Sequence, residues 1–428
     1  MAAILTCIYL LLTYLSPAEV LPALAPLRME LWIGALAILT GLVSISQNRS
    51  VFRVPQVYLL AGLTGAVILS RLAHLYLGAS FSALMNFLPN LLAFFMILFA
   101  LDSPRKLRIL AGIIITVAVY FTINGSIEYF LNPHDSMLVL AQQTIDKNGA
   151  LVWTLRLRAT GFLNDPNDLA QFLLVAIALL ATYWRRGGAT RFVFAVIPGA
   201  ILVGGIALTK SRSGSVGLLA VLLLALSDKF GKVKAGILAA FVGAALWGLR
   251  FTGGRGISLE AGVDRLNIWR DGWGLFKHSP IWGIGFGWFQ RYADRMTAHN
   301  SFVLCFTELG LLGYFFWITL AIVSFYQLNV IRRIVPETPV EAEAVSMAVS
   351  LRLALSAFLI TGWFLSRTYS VTFYVLIAMT GSLLLTQVER KTFRLATPKL
   401  AWFRNSLLLE FASIVLVYII LKVRIVAL

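Results

Sequence analysis

The sequence predicts an all-α, polytopic integral membrane protein, and both its composition and its apolar stretches support this fold class. Hydrophobic residues make up 59% of the 428 residues and charged residues only 13%, whereas charged residues form about 25% of a typical soluble domain. Apolar stretches recur along the whole chain, and many approach the roughly 20 residues that cross a hydrocarbon core about 30 Å thick. These observations exclude a soluble globular protein.

We predict about twelve transmembrane helices within a single transmembrane domain of residues 1–428. The predicted spans are residues 2–17, 28–45, 54–75, 81–101, 107–131, 168–184, 192–208, 213–226, 235–249, 301–326, 344–365 and 371–386. A further apolar stretch, residues 406–420, is interpreted as either another span or a helix on the membrane surface. The first segment lacks a basic n-region, so we interpret it as a retained helix rather than a signal peptide.

Short basic loops set the predicted orientation of these spans. Their basic residues are Arg49, Arg53, Arg105, Lys106, Arg108, Arg185, Arg186, Arg191, Lys229, Lys232, Lys234, Arg332, Arg333, Arg390, Lys391 and Arg394. Alternation of the spans places all of these residues on one side, and the positive-inside rule makes that side, with the amino terminus, cytoplasmic. Membrane loops therefore account for nearly all of the net charge of +17, which gives no reason to expect a nucleic-acid partner.

Two connections on the opposite side are long, residues 132–167 and residues 252–300, and the second lies between predicted helices 9 and 10. Long loops in compact proteins usually carry function or are disordered, so we expect the functional site on this side. In the second loop, Trp269 and Trp273 are four residues apart and predict an interfacial helix that Pro280 ends. The glycines that follow, Gly283, Gly285 and Gly287, predict tight turns rather than a phosphate-binding loop.

Four arginines fall at the outer ends of predicted spans or in the outer loops: Arg158 in "RLRATGF", Arg212 in "TKSRSG", Arg265 in "VDRLNIW" and Arg367 in "LSRTYS". A single arginine at such a place usually extends its side chain to lipid headgroups. Guanidinium groups bind phosphate oxygens in pairs, so several arginines at one cavity would suit a diphosphate. In "NDPND", Asn164, Asp165, Asn167 and Asp168 lie around Pro166 immediately before an apolar helix, where Asn or Asp caps the helix. This is ordinary capping, and the alternative is that the chain near Arg158 and Gly161 folds against the membrane face and presents a basic group beside the cap.

The chain has four histidines: His74, His134, His278 and His299. A histidine at a membrane interface is more often structural than catalytic, but His299, which we interpret as the cap of the tenth predicted span beside Asn300, directly follows the basic loop, and an imidazole can accept a proton near neutral pH. Two cysteines, Cys7 and Cys305, form neither a disulfide framework nor a zinc site. With no zinc-protease motif, P-loop or GxSxG motif, we expect no metal and no cofactor.

These residues together resemble the bacterial O-antigen ligase and O-antigen polymerase group of membrane glycosyltransferases. The resemblance rests on "RATGFLNDPNDLAQFLL", on "TKSRSGSVGLL", and on "RLNIWRDGWGLFKHSPIWGIGFGWF" followed by "AHNSFVLCFTELGLLGYFFW". These segments cover about residues 158–317, and the flanking helices match in hydropathy alone. The last block is the most specific, because it combines Pro-Ile-x-Gly-x-Gly, His-Asn and Glu-x-Gly-x-x-Gly.

The resemblance implies a helical fold of the polyprenyl-linked (GT-C type) glycosyltransferases, in the bacterial inner membrane with a periplasmic active site and without metal or nucleotide. The donor would be a glycan on undecaprenyl diphosphate and the acceptor a sugar hydroxyl of lipid A-core. His299 would activate that hydroxyl, while Arg158, Arg212 and Arg265 would hold the diphosphate. Secondary candidates are Asn167, Asn300, Glu308 and Arg367. Glu308 competes as a base, but nine residues along a helix place it on roughly the opposite face from His299.

The size of the outer loop favours a ligase, because its tryptophans and arginines would suit a bulky amphiphilic acceptor. An O-antigen polymerase and a protein O-glycosylation ligase remain alternatives within the same group. A different class, a transporter or flippase for an anionic lipid, would show paired broken helices in two halves. We find no such internal repeat and few intramembrane carboxylates. The sequence does not specify an oligomeric state.

Overall fold

The computed structural model describes residues 1–47, 49–145, 151–184, 188–248, 251, 259–293, 296–389 and 399–426. About 81% of the chain is helical, with almost no sheet, as the fold class predicts. Several predicted loop residues lie outside the described residues: Arg185, Arg186, Arg390, Lys391 and Arg394 of the basic loops, part of the first long connection, and residues 252–258 and 294–295 of the large outer loop.

The elements follow one another as helices interrupted by one hairpin. The first helices are α1 (Ala2–Leu15), α2 (Pro17–Val20), α3 (Met29–Gln47), α4 (Pro55–Leu72), α5 (Leu77–Ala100) and α6 (Pro104–Leu131), followed by strands β1 (Val139–Ile145) and β2 (Leu151–Leu157). Then come α7 (Pro166–Leu179), α8 (Ala181–Trp184), α9 (Gly188–Arg191), a π-helical turn (Phe192–Val196), α10 (Ile197–Thr209), α11 (Arg212–Phe230) and α12 (Lys232–Gly248). The remaining helices are α13 (Leu259–His278), α14 (Phe289–Tyr292), α15 (Ser301–Ile331), α16 (Pro339–Gly362), α17 (Val371–Glu389) and α18 (Lys399–Val426).

Among the described residues, ten helices are long and apolar enough to cross a membrane. This number supports a multi-pass membrane protein. The tenth of them, Ala401–Val423 in α18, is the stretch whose topology the sequence left open. A helix also covers the other predicted spans, but α1, α12 and the apolar part of α17 are shorter. The count of twelve spans stays a prediction.

One compact unit, unit 1, consists of Met1–Ser44, Phe99–Gly256 and Leu328–Thr361. Its best-buried element is α7, which begins at the N-cap Asp165 as the sequence predicts. The buried side chain of Gln171 donates from Nε2 to the Phe358 carbonyl (3.0 Å) and to Thr361 Oγ1 (2.8 Å). Buried polar contacts of this kind join helices in a membrane, where association has little hydrophobic driving force.

Unit 1 also contains a β-hairpin that the sequence analysis did not predict. Strands β1 and β2 pair antiparallel, with Val139 opposite Leu157 and Ile145 opposite Leu151. The hairpin lies in the first long connection, and the Tyr129 hydroxyl of α6 donates to the Leu155 carbonyl (3.2 Å). The hairpin therefore fixes the segment that leads into "RATGF".

The other compact unit, unit 2, consists of Ile45–Leu98, Ile257–Gln327 and Gly362–Leu428. Its longest helix, α15, is interrupted at Gly310, where φ is 62° and ψ is −168°. Buried amides join α4 to α15, since Gln56 donates from Nε2 to Ser324 Oγ and to Gln327 Oε1. This unit contains most of residues 252–300 and the start of α15, and with them the most specific of the sequence motifs.

Candidate functional site

His299 lies in unit 2, immediately before α15, in a backbone conformation that is unusual for its type. Its φ of 48° is in the left-handed region, where non-glycine residues are uncommon outside functional or tightly constrained sites. The helix cap is Asn300, whose Oδ1 accepts from the backbone N–H groups of Phe302 (2.8 Å) and Val303 (3.1 Å). His299 therefore does not cap α15, contrary to the sequence interpretation. Its side chain is partly buried.

Helix α13 holds the residue before His299. The indole N–H of Trp269 donates to the Ala298 carbonyl at 2.9 Å, and both residues are buried. Arg265 lies one helical turn before Trp269 on the same face of α13, and its side chain is exposed. The structure thus places Arg265 and His299 on two segments that a buried hydrogen bond joins.

The loop between α16 and α17 holds the residue after Asn300. Ser301 donates from Oγ to the Leu365 carbonyl (2.6 Å) and accepts from the Arg367 N–H (2.8 Å). The Thr368 hydroxyl donates to the Ser301 carbonyl at 2.7 Å. Arg367 is therefore part of a loop that is bonded directly to the start of α15.

Glu308 lies further along α15 and is 2% exposed. Both of its carboxylate oxygens accept backbone hydrogen bonds at 2.9 Å, one from Gly287 and one from Phe289. The Tyr369 hydroxyl is buried beside this carboxylate, and burial together with the nearby negative charge raises the pKa of Tyr369 well above its ordinary value. The two oxygens of Glu308 are thus used to bind the glycine-rich segment that follows α13.

Unit 1 contains the other predicted residues, Arg158, Asn167 and Arg212. Asn167 Oδ1 accepts from the Ser211 hydroxyl at 2.8 Å, and Ser211 caps α11, whose first residue is Arg212. The motifs "NDPND" and "TKSRSG" therefore meet within unit 1. Arg158 is partly buried and donates from Nε to the Met137 carbonyl at 2.9 Å.

Arg156 is the arginine that joins these motifs, and sequence reasoning missed it. Its guanidinium is 3% exposed and donates to the Thr209 carbonyl (2.9 Å), Gln142 Oε1 (3.0 Å) and Asn167 Oδ1 (2.9 Å). A signal was present in "LVWTLRL", because alternation along a strand places Arg156 on the same face as the buried Thr154. The stretch was interpreted as a loop, so that alternation was not applied.

Replacing Arg156 with alanine should lower the free energy of unfolding by about 3 kcal/mol, because it removes charged donors from three buried or partly buried acceptors. Arg158→Ala is the matched control, two positions along the chain, where the side chain donates to the Met137 carbonyl, and this variant should cost about 1 kcal/mol or less. Thermal unfolding of the purified protein in detergent measures both. Equal losses of stability in the two variants would contradict this assignment.

Among the described residues, no group of three or more His, Cys, Asp or Glu side chains is placed to hold a metal ion. Cys7 and Cys305 are present as thiols. In unit 2, hydrogen bonds join the segment that carries the His299 imidazole to α13, which carries the exposed Arg265, and to the loop that carries Arg367. Chemically, such a set can remove a proton from a hydroxyl and stabilise an anion.

In comparisons with known proteins, no family model matches this chain and no curated protein matches it.

Proposed function

We propose that this protein is a membrane glycosyltransferase of the O-antigen ligase type. It would transfer a glycan from undecaprenyl diphosphate to a sugar hydroxyl of lipid A-core, at the periplasmic face of the bacterial inner membrane. The observation that carries the proposal is the arrangement around His299. Segments bearing Arg265 and Arg367 are each bonded to a residue within two positions of His299, one through Ala298 and the other through Ser301.

In this reaction, His299 accepts the proton of the acceptor hydroxyl while the hydroxyl oxygen attacks the anomeric carbon of the donor sugar. The bond between that carbon and the diphosphate oxygen breaks, and the electron pair leaves with the diphosphate. Fixed guanidinium groups stabilise the negative charge that develops on the leaving group. Arg265 supplies a guanidinium group in unit 2, and the resemblance implies the same role for Arg158 and Arg212. Direct displacement inverts the anomeric configuration.

The ends of α7 and α11 support the role of Arg212. An N-terminal helix end favours anions through its unpaired amides and its dipole. Ser211 caps α11 by accepting from the Gly214 N–H (3.2 Å), and the Asn167 side chain fixes Ser211 in turn. Arg212 therefore begins a helix whose first turn is held in place. That arrangement suits a phosphate group better than a neutral sugar.

The experiment that tests the function is transfer in vitro, with purified protein, glycan-labelled undecaprenyl diphosphate, lipid A-core and a chelator. We expect label on lipid A-core, and transfer should survive chelation. Elongation of the lipid-linked glycan with no use of lipid A-core would instead identify a polymerase. Movement of the donor lipid across a vesicle bilayer, without chemistry on either substrate, would identify a transporter and refute the proposal.

A further inference from the structure

Glu308 is an unusual residue for its position, because ionisable side chains within membrane helices are costly and commonly have a functional reason. The sequence offers it as an alternative base. The structure shows that its two carboxylate oxygens are already acceptors for the Gly287 and Phe289 amides, at 2.9 Å each. A base needs an oxygen that faces the acceptor hydroxyl, so this geometry favours a different role.

The glycine-rich segment that Glu308 binds packs closely against the interruption of α15 at Gly310. Gly283 and Gly310 both have positive φ, and a Cβ on either would overlap backbone of the other segment. Backbone bonds run across the contact, from the Gly285 N–H to the Glu308 carbonyl (3.0 Å) and from the Leu311 N–H to the Pro280 carbonyl (2.8 Å). The Pro-Ile-x-Gly-x-Gly and Glu-x-Gly-x-x-Gly motifs thus contact each other directly through their backbones.

Helix α4 holds the same segment from its other side. Arg71 donates from Nε to the Phe286 carbonyl at 2.7 Å, with a second bond from Nη2 to the same oxygen, and its guanidinium lies 4.0 Å from the Trp288 ring centroid. His74 Nε2 lies 2.9 Å from the Gly283 carbonyl. The glycine-rich segment is therefore fixed by Arg71 of α4, by His74 in the turn after α4, and by Glu308 of α15.

Phe289 connects Glu308 to α13. Its N–H is held by Glu308, its ring is fully buried, and a Cβ at Gly272 of α13 would lie only 3.0 Å from that ring. The close contact between Gly272 and the Phe289 ring therefore fixes the position of α13 relative to the segment that contains Phe289. Trp269, three residues earlier on α13, binds the carbonyl that precedes His299. A displacement of Phe289 would therefore shift Arg265 and His299 relative to each other.

We infer that Glu308 is a positioning residue, which fixes α13 and the segment before α15 so that Arg265 and His299 keep their relative placement. This inference rests on the proposed function and assigns to Glu308 a role other than the base. The carboxylate suits the role because it presents two acceptors to two amide donors. A glutamine there would present one acceptor and one donor, and its amide group would face an amide N–H.

The test is Glu308→Gln in the full-length protein, with Glu410→Gln as the matched control. Glu410 is a second buried glutamate of unit 2, 2% exposed, and has no part in the proposed site. For Glu308→Gln we expect kcat to fall about 10- to 100-fold, since small misplacements of reacting groups have effects of this size, while the KM for the lipid-linked donor changes little. Glu410→Gln should leave both constants close to wild type.

Amide hydrogen exchange supplies a second measurement that does not depend on catalysis. In Glu308→Gln we expect faster exchange in residues 286–292 and in the neighbouring part of α13, with wild-type exchange in α17. Unchanged exchange in both segments would overturn the inference, as would a kcat equal to wild type. A loss of transfer as complete as that in His299→Asn, with unchanged exchange, would make Glu308 the base. If the wild type transfers no glycan, the proposed function fails, and the exchange measurement still decides whether Glu308 fixes α13.

Discussion

Replacing His299 with asparagine is expected to lower glycan transfer by about 10²- to 10⁴-fold, the usual contribution of a positioned general base. Asparagine tolerates the left-handed backbone conformation that His299 adopts, with φ of 48°, so the variant should fold. The cap of α15 belongs to Asn300 and is left intact. Initial rates with labelled donor and lipid A-core measure the effect.

His278→Asn is the matched control for this variant. His278 is an exposed histidine at the end of α13 in the same outer loop, and its replacement should leave the rate near wild type. Donor binding should persist in His299→Asn, because the arginines proposed to hold the diphosphate are unchanged. Retention of more than about a tenth of the wild-type rate in His299→Asn would contradict the assignment of His299 as the base.

Replacing Gly310 with alanine is expected to give the largest loss of stability, about 3 kcal/mol or more. The backbone dihedral angles of Gly310, φ of 62° and ψ of −168°, are ones that residues with a side chain rarely adopt. A Cβ there would also overlap the Ile281 carbonyl. Gly283→Ala should be comparably harmful, since its Cβ would overlap the Glu308 backbone. Thermal unfolding midpoints in detergent measure both variants.

Gly65→Ala is the control for both glycine variants. Gly65 lies inside α4 of the same unit, and a Cβ there meets nothing within 4 Å. Alanine favours a helix by up to about 1 kcal/mol over glycine, so this variant should be as stable as wild type or slightly more stable. If Gly310→Ala unfolds at the same temperature as Gly65→Ala, the close contact between the Gly283 and Gly310 segments does not stabilise unit 2.

Much of the fold could be predicted because membrane helices leave a strong signal in composition and hydropathy. The Asn and Asp residues around Pro166 predicted a capped helix start, at which Asp165 is the N-cap, and α13 ends at His278, just before Pro280, as predicted. The hairpin of β1 and β2 could not be predicted in the same way. Each strand has seven residues, and short segments leave only a weak alternating pattern. Arg156 was missed for that reason.

The candidate site was only partly predictable, because its residues come from segments far apart in the chain. His299, Arg265 and Arg367 could be chosen one by one from their positions at the ends of predicted helices. Their connection depends on the indole of Trp269 and on the hydroxyl of Ser301, which hydropathy and spacing do not reveal. The glycines near residue 283 predicted turns, but only the three-dimensional structure shows that they contact Gly310.

The central claim is direct displacement at the anomeric carbon by an acceptor hydroxyl that His299 deprotonates. The most direct measurement is the anomeric configuration of the new glycosidic bond, determined by NMR on product made with a donor of known configuration. We expect the anomeric configuration to be inverted, because the hydroxyl attacks from the face opposite to the departing diphosphate. Retention would contradict it, since retention requires a covalent glycosyl-enzyme intermediate or another two-step route that this site does not include.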